Sequence, residues 1–162
     1  VHHVVLVGLA APLLAAALPI RRYGSLILAT AVQAVVFWAW HAPDAYGAAL
    51  SNDAVYWVMQ ISLLASAVWF WCAARSASAP AAVIALLAAM LAMGLLGAVL
   101  TFAGQAVYAP HAYSTLAWGL TPLEDQQAAG LIMWAPAAAL YLFAALWRLG
   151  RMIGPDAEAH PA

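Results

Sequence analysis

Five apolar runs, each close to the ~20 residues that a bilayer core demands, take up most of this chain. They cover residues 1–20, 25–41, about 54–74, 81 to about 108, and 122–149. A run of that length in lipid must satisfy every backbone N–H and C=O internally, which selects the helix. With 68% hydrophobic and only 7% charged residues, 162 residues could not bury this much apolar surface as a water-soluble domain. The expected fold is all-α: a polytopic membrane helical bundle of about five transmembrane helices over residues 1–153. Residues 154–162 are polar and turn-forming, and are expected to be a disordered tail. Pro136 falls inside the fifth run and is expected to bend it, a defect that neighbouring helices tolerate in a membrane.

The arginines orient the bundle. There is no Lys, and the five cations are Arg21, Arg22, Arg75, Arg148 and Arg151. They fall between runs one and two, between three and four, and after five, which share one side in a five-span topology. The positive-inside rule makes that side cytoplasmic, so the chain is expected in a bacterial inner membrane with its N-terminus outside and its C-terminus in the cytoplasm. Trp38, Trp40, Tyr46, Tyr56 and Trp57 then form an outer aromatic belt, and Tyr23, Trp69, Trp71 and Trp147 an inner one. Gly94, Gly97 and Gly104 suit close helix packing.

Several function classes drop out. A single cysteine, Cys72, permits neither an internal disulfide nor a CxxC metal clip. No basic stripe is present to hold nucleic acid. No GxSxG, P-loop or dinucleotide fingerprint appears, so no enzyme activity is expected. The chain opens on Val1 with no Met and no charged segment ahead of the apolar run, so a cleavable signal peptide is not visible and an N-terminal portion reads as processed or missing.

What polar chemistry remains gathers on the outer side. Thr121 to Trp134 turns from a polar loop into the last helix, with Thr121 as N-cap, Pro122 at the first helical position, Glu124 completing a capping box and Asp125 in the first turn. His2 and His3 open the first run, His41 closes the second, and His111 lies in the loop before Thr121. Ionisable groups at membrane depth are rare and usually functional, and histidine is the commonest metal ligand. His3, His41 and Asp125 are therefore the candidate metal ligands. His2 reads as facing the headgroups and His111 as a solvated loop residue. Met59 and Met133 lie about 10 Å inside the same boundary, and their thioethers suit Cu(I). Met90 and Met93 share one face of run four and read as packing.

These residues resemble a known family. The run from Asp125 to Trp134 is similar to the Asp-Gln-x-x-Ala-Gly-x-x-Met-Trp core of the polytopic CtaG-type assembly factors of caa-type cytochrome c oxidases, through Asp125, Gln126, Ala129, Gly130, Met133 and Trp134. Trp40, His41 and Pro43 match its Trp-His-x-Pro element, and His3 with residues 11–14 its first-helix element. Tyr108 or Tyr113 resembles its Tyr before the last loop. The likeness runs in order along nearly the whole chain. It departs where relatives carry another His four residues before the first-helix His, and where they carry a His early in the third span, here occupied by Met59 and Gln60.

The resemblance implies a part in maturing the copper centre of cytochrome c oxidase. The expected function is thus an integral membrane assembly factor that handles copper at the periplasmic face, with membrane lipid, an oxidase subunit and a copper donor protein as partners. Two other readings stay open: a haem-binding or electron-transfer subunit using His3 and His41, and a scaffold that binds no metal.

Overall fold

The computed structural model of the chain describes residues 2–19 and 23–153. Arg21, Arg22, His160 and the expected tail 154–162 lie outside the described residues, as does the side chain of Tyr113. Among the described residues every regular element is helical. In chain order these are α1 (His2–Ala17), α2 (Leu26–Trp40), α3 (Pro43–Ser51), α4 (Asp53–Ser76), α5 (Ala79–Thr101), a short α6 (His111–Ser114) followed by a 3-10 turn (Thr115–Trp118), and α7 (Pro122–Ile153).

Three helices, α4, α5 and α7, are long and apolar enough to cross a membrane. The α2–α3 pair passes the same test as one broken span bent by 71°, and α1 is a shorter apolar helix. The expected count of about five agrees with this architecture once α1 is included. Outward faces carry Leu13, Ile27, Ile61, Leu91 and Phe143, all exposed, as lipid-facing surfaces require.

The boundaries differ from expectation in three places, each for a local reason. Pro43 stops α2 as expected, but it also sits in the first turn of the next helix, where its missing N–H costs nothing. The fourth span ends at Thr101 rather than near Tyr108. Residues 102–110 are not helical, because the side chains of Gln126 and Gln127 take over their main-chain groups: Val107 N–H donates to Gln126 Oε1 (2.8 Å), while Gln126 Nε2 donates to the Gln105 carbonyl (3.3 Å) and Gln127 Nε2 to the Ala103 carbonyl (3.1 Å). The last helix continues to Ile153 and runs unbroken through Pro136. In α1, Pro12 has no N–H to continue an i→i−4 ladder, and the five residues Leu6–Ala10 just before it form a π-helical turn.

Indole N–H groups lace the helices together. Trp71 of α4 donates to the Val7 carbonyl in the π-turn (3.0 Å), Trp40 of α2 to Ser62 Oγ of α4 (2.8 Å), and Trp38 of α2 to the Ala92 carbonyl of α5 (2.9 Å). These tryptophans therefore fix helix positions, and Trp71, read as a belt residue, packs in the core against Tyr141. The Trp71 bond is buried, and an indole N–H left unmet in apolar surroundings is costly. Mid-bundle, Gln33 Nε2 donates to the hydroxyl of fully buried Tyr141 (2.7 Å).

The most extensive contact is between α5 and α7. Gly97 and Gly130 meet there: a Cβ at Gly130 would lie 2.8 Å from the Gly97 carbonyl oxygen, and one at Gly97 3.0 Å from that of Gly130. Gly94 lies against the Trp134 ring, whereas Gly104 has nothing within 4 Å of its Cβ position and plays no packing part. Cys72 is 1% exposed, a small packed residue as expected.

The capping box of α7 forms as read. Thr121 N–H donates to Glu124 Oε2 (2.8 Å) and Glu124 N–H donates to Thr121 Oγ1 (3.2 Å), two end groups satisfied reciprocally. Thr121→Ala removes the cap acceptor and is expected to cost about 1 kcal/mol of helix-end stability. Hydrogen exchange should show it as faster amide exchange confined to the first turn of α7.

Candidate functional site

The helix starts and ends on one side of the bundle leave a cleft of about 560 Å³, lined from α1, α3, α4, α7 and the segment between α5 and α7. Every residue singled out as a ligand, His3, His41, Met59, Asp125 and Met133, lines this one cleft. Arg75 and Arg148 lie at the opposite end. There Arg75 donates to the carbonyls of Ala15 and Leu18, and Arg148 to those of Ala74 and Ala77, so cations meet helix ends whose dipoles favour them.

His41 is the C-cap of α2. Its Nδ1 lies 2.7 Å from the Phe37 carbonyl one turn back. That oxygen only accepts, so Nδ1 carries the proton and Nε2 is left as the acceptor nitrogen. His3 Nδ1 faces that Nε2 at 3.4 Å, with the rings edge to face. An N–H bonded to a carbonyl, with the other nitrogen an acceptor turned to its neighbour, is the arrangement that orients a metal-binding imidazole. The His41 carbonyl in turn accepts from the Tyr108 hydroxyl at 2.8 Å. Burial, and after it the nearby Tyr46, push the Tyr108 phenol up to about 12, which keeps that donor protonated.

Asp125 lies nearer the rim and pairs elsewhere. Its Oδ2 is 3.6 Å from His111 Nδ1, and His111 Nε2 is 3.1 Å from the Tyr46 hydroxyl. Among the described residues no group of three His, Cys, Asp or Glu side chains is placed to hold a metal ion together. The cleft thus holds two polar pairs, imidazole with imidazole inside and imidazole with carboxylate at its edge. Met59 and Met133 are almost fully buried in its wall, whereas Met90 and Met93 stay outside the lining and serve packing.

Several lining residues escaped the sequence reading. His111, expected to be solvated, is only partly exposed and engaged on both ring nitrogens. Tyr46 and Tyr56, read as belt residues, line the cleft, as does Gln60. Nothing in their spacing marked them, because the bend between α2 and α3 that swings Tyr46 inward is a tertiary feature. The two glutamines after Asp125 were visible as polar residues at a helix start, but their hold on residues 103–107 depends on where that loop folds.

No curated protein and no solved structure matches the chain. A protein-family comparison matches residues 1–154 to a family described as cytochrome c oxidase caa3 assembly factor (Caa3_CtaG). That span covers all the helices and the whole cleft. The core predicted from Asp125 to Trp134 accounts for much of it physically: Asp125 and Met133 line the cleft, Gln126 ties down the loop, and Gly130 and Trp134 seat α7 on α5. The chain belongs to the caa3 cytochrome c oxidase assembly factors.

Proposed function

We propose that this assembly factor carries copper in the cleft, as cargo for the copper centre of the oxidase. The observation behind the reading is the His3–His41 pair. Two imidazole nitrogens about 2.0–2.1 Å from one metal at a tetrahedral angle stand about 3.3 Å apart, and here they stand at 3.4 Å with the His41 lone pair already turned inward. Met59 and Met133 in the same lining add soft donors of the kind copper accepts. Such a set binds without a thiolate, which suits an ion that must be passed on. Asp125, held by His111, serves at the rim as the carboxylate that meets an incoming cation.

On this reading the cleft faces the periplasm across a bacterial inner membrane, with the N-terminus outside and the C-terminus cytoplasmic. The gathering of Arg75 and Arg148 at the far end supports that orientation. A donor protein loads the cleft from the aqueous side, and an oxidase subunit takes the ion. The protein performs no catalysis of its own. Haem is the weaker reading, because edge-to-face rings with nitrogens 3.4 Å apart leave no gap for a porphyrin between them.

Metal analysis of the purified chain tests the proposal. One copper per chain, with no Soret band, is the expected result. Copper-free protein that still co-purifies with an oxidase subunit after exposure to Cu(I) and Cu(II) would overturn copper carriage and leave a scaffold.

A further inference from the structure

Gln60 lies one residue beyond Met59 in the wall of the cleft and is 7% exposed. Neither its Oε1 nor its Nε2 has a hydrogen-bond partner in the protein, and both atoms are buried. A buried amide left without partners is costly. Gln126, on the last helix, is slightly more buried but bonds through both ends of its amide to residues 105–107. The contrast identifies Gln60 as the polar side chain of the lining whose partner must come from outside the chain.

The cleft also has a coordination position to fill. Two imidazoles converge in it and no third His, Cys, Asp or Glu among the described residues joins them. Two imidazoles and two thioethers make four donors, which leaves a bound Cu(II) ion open to a fifth, small and exchangeable ligand. At about 30 Å³ per water, the cleft has room for several.

We propose that Gln60 is the positioning residue for that ligand: its Oε1 accepts a hydrogen bond from a water molecule bound to the copper, while Nε2–H donates to a neighbouring water in the cleft. This rests on the copper reading. Water is the ligand class that fits, because it can bind a metal through oxygen and still donate to a carbonyl acceptor. The role is that of an outer-shell group, holding open the position at which one ligand replaces another when the ion is handed on.

The test uses the full chain in detergent, loaded with Cu(II), and reads copper affinity together with the field dependence of water-proton relaxation. The wild type should show an exchanging inner-sphere water that azide displaces. Gln60→Leu should keep the copper but weaken its binding about tenfold, the lower end of the loss typical for an outer-shell partner, and lower relaxation to the outer-sphere level. Gln60→Asn, which keeps a neutral amide acceptor, should recover part of the water signal. Gln60→Ile, apolar and without a donor atom, separates loss of the amide from loss of one packing arrangement and should behave as Gln60→Leu. Wild-type affinity and relaxation in both apolar variants would overturn the role of Gln60 while leaving copper carriage intact. A wild-type chain that takes up no copper would overturn the copper reading itself, and this inference with it.

Discussion

His41→Ala is expected to abolish stoichiometric copper binding, by more than the 10–100-fold that removal of an outer-shell partner typically brings. The imidazole does three things at once. Its Nδ1 is fixed on the Phe37 carbonyl, its Nε2 faces His3, and its ring packs on Phe37 with centroids 4.5 Å apart. Alanine leaves His3 as the single imidazole at that point and removes the lone pair that the Phe37 bond had aimed. The main chain of residue 41 should survive, because its N–H donates to the Trp38 carbonyl and its carbonyl still accepts from Tyr108. Circular dichroism and the oligomeric profile should therefore match the wild type while copper is lost on dialysis. Asp125→Asn should behave differently. Its partner is His111 at the rim, so it should slow copper loading in stopped-flow uptake and leave the final stoichiometry near one. Equal copper retention in His41→Ala and the wild type would remove the imidazole pair from any role in carriage.

The helices and their broad arrangement were legible because lipid imposes them. A run of ~20 apolar residues has few alternatives, and Arg75, the Thr121–Glu124 box, Pro43 and Pro122 mark ends that the fold respects, whereas Pro136 lies inside a helix. The coarse site was legible for a related reason: topology alone brings His3, His41, Met59, Asp125 and Met133 to one end, and all of them line the cleft. Which of them touch was not. Asp125 and the imidazole pair share a cleft, yet Asp125 turns to His111, a contact that follows from the path of residues 102–120 and from the glutamine side chains that hold it. The α2–α3 bend was hidden for the same sort of reason. Pro43 announces a break, but whether the chain leaves as loop or as a new helix at 71° depends on what it packs against. Gly104 shows the limit in the other direction: a glycine near others in sequence looks like packing until a neighbour fails to appear.

Gly130→Ala is expected to destabilise the bundle by about 1–3 kcal/mol, the range for forcing extra volume into a closed contact, and Gly130→Val by more. The added Cβ would lie 2.7 Å from Thr101 Oγ1, 2.8 Å from the Gly97 carbonyl oxygen and 2.8 Å from the Thr101 nitrogen. Two of those three atoms are backbone, and the third is tied to the Gly97 carbonyl at 2.7 Å, so none can move aside as a flexible side chain would. The helices must separate instead. Because lipid tails are as apolar as the helix faces, separation forfeits close packing that no hydrophobic term restores. Denaturant titration of detergent-solubilised protein should therefore show a lower unfolding midpoint for Gly130→Ala, and an unchanged one for Gly104→Ala, whose Cβ would meet open space. The displacement should also reach the cleft, since Gln126 lies about one turn before Gly130 and Met133 about one turn after, and both line it. Copper affinity should accordingly fall in Gly130→Ala even under conditions where the variant remains folded. A variant that lost stability yet kept wild-type affinity would mean that α7 contributes no ligand, and would confine copper binding to α1, His41 and α4.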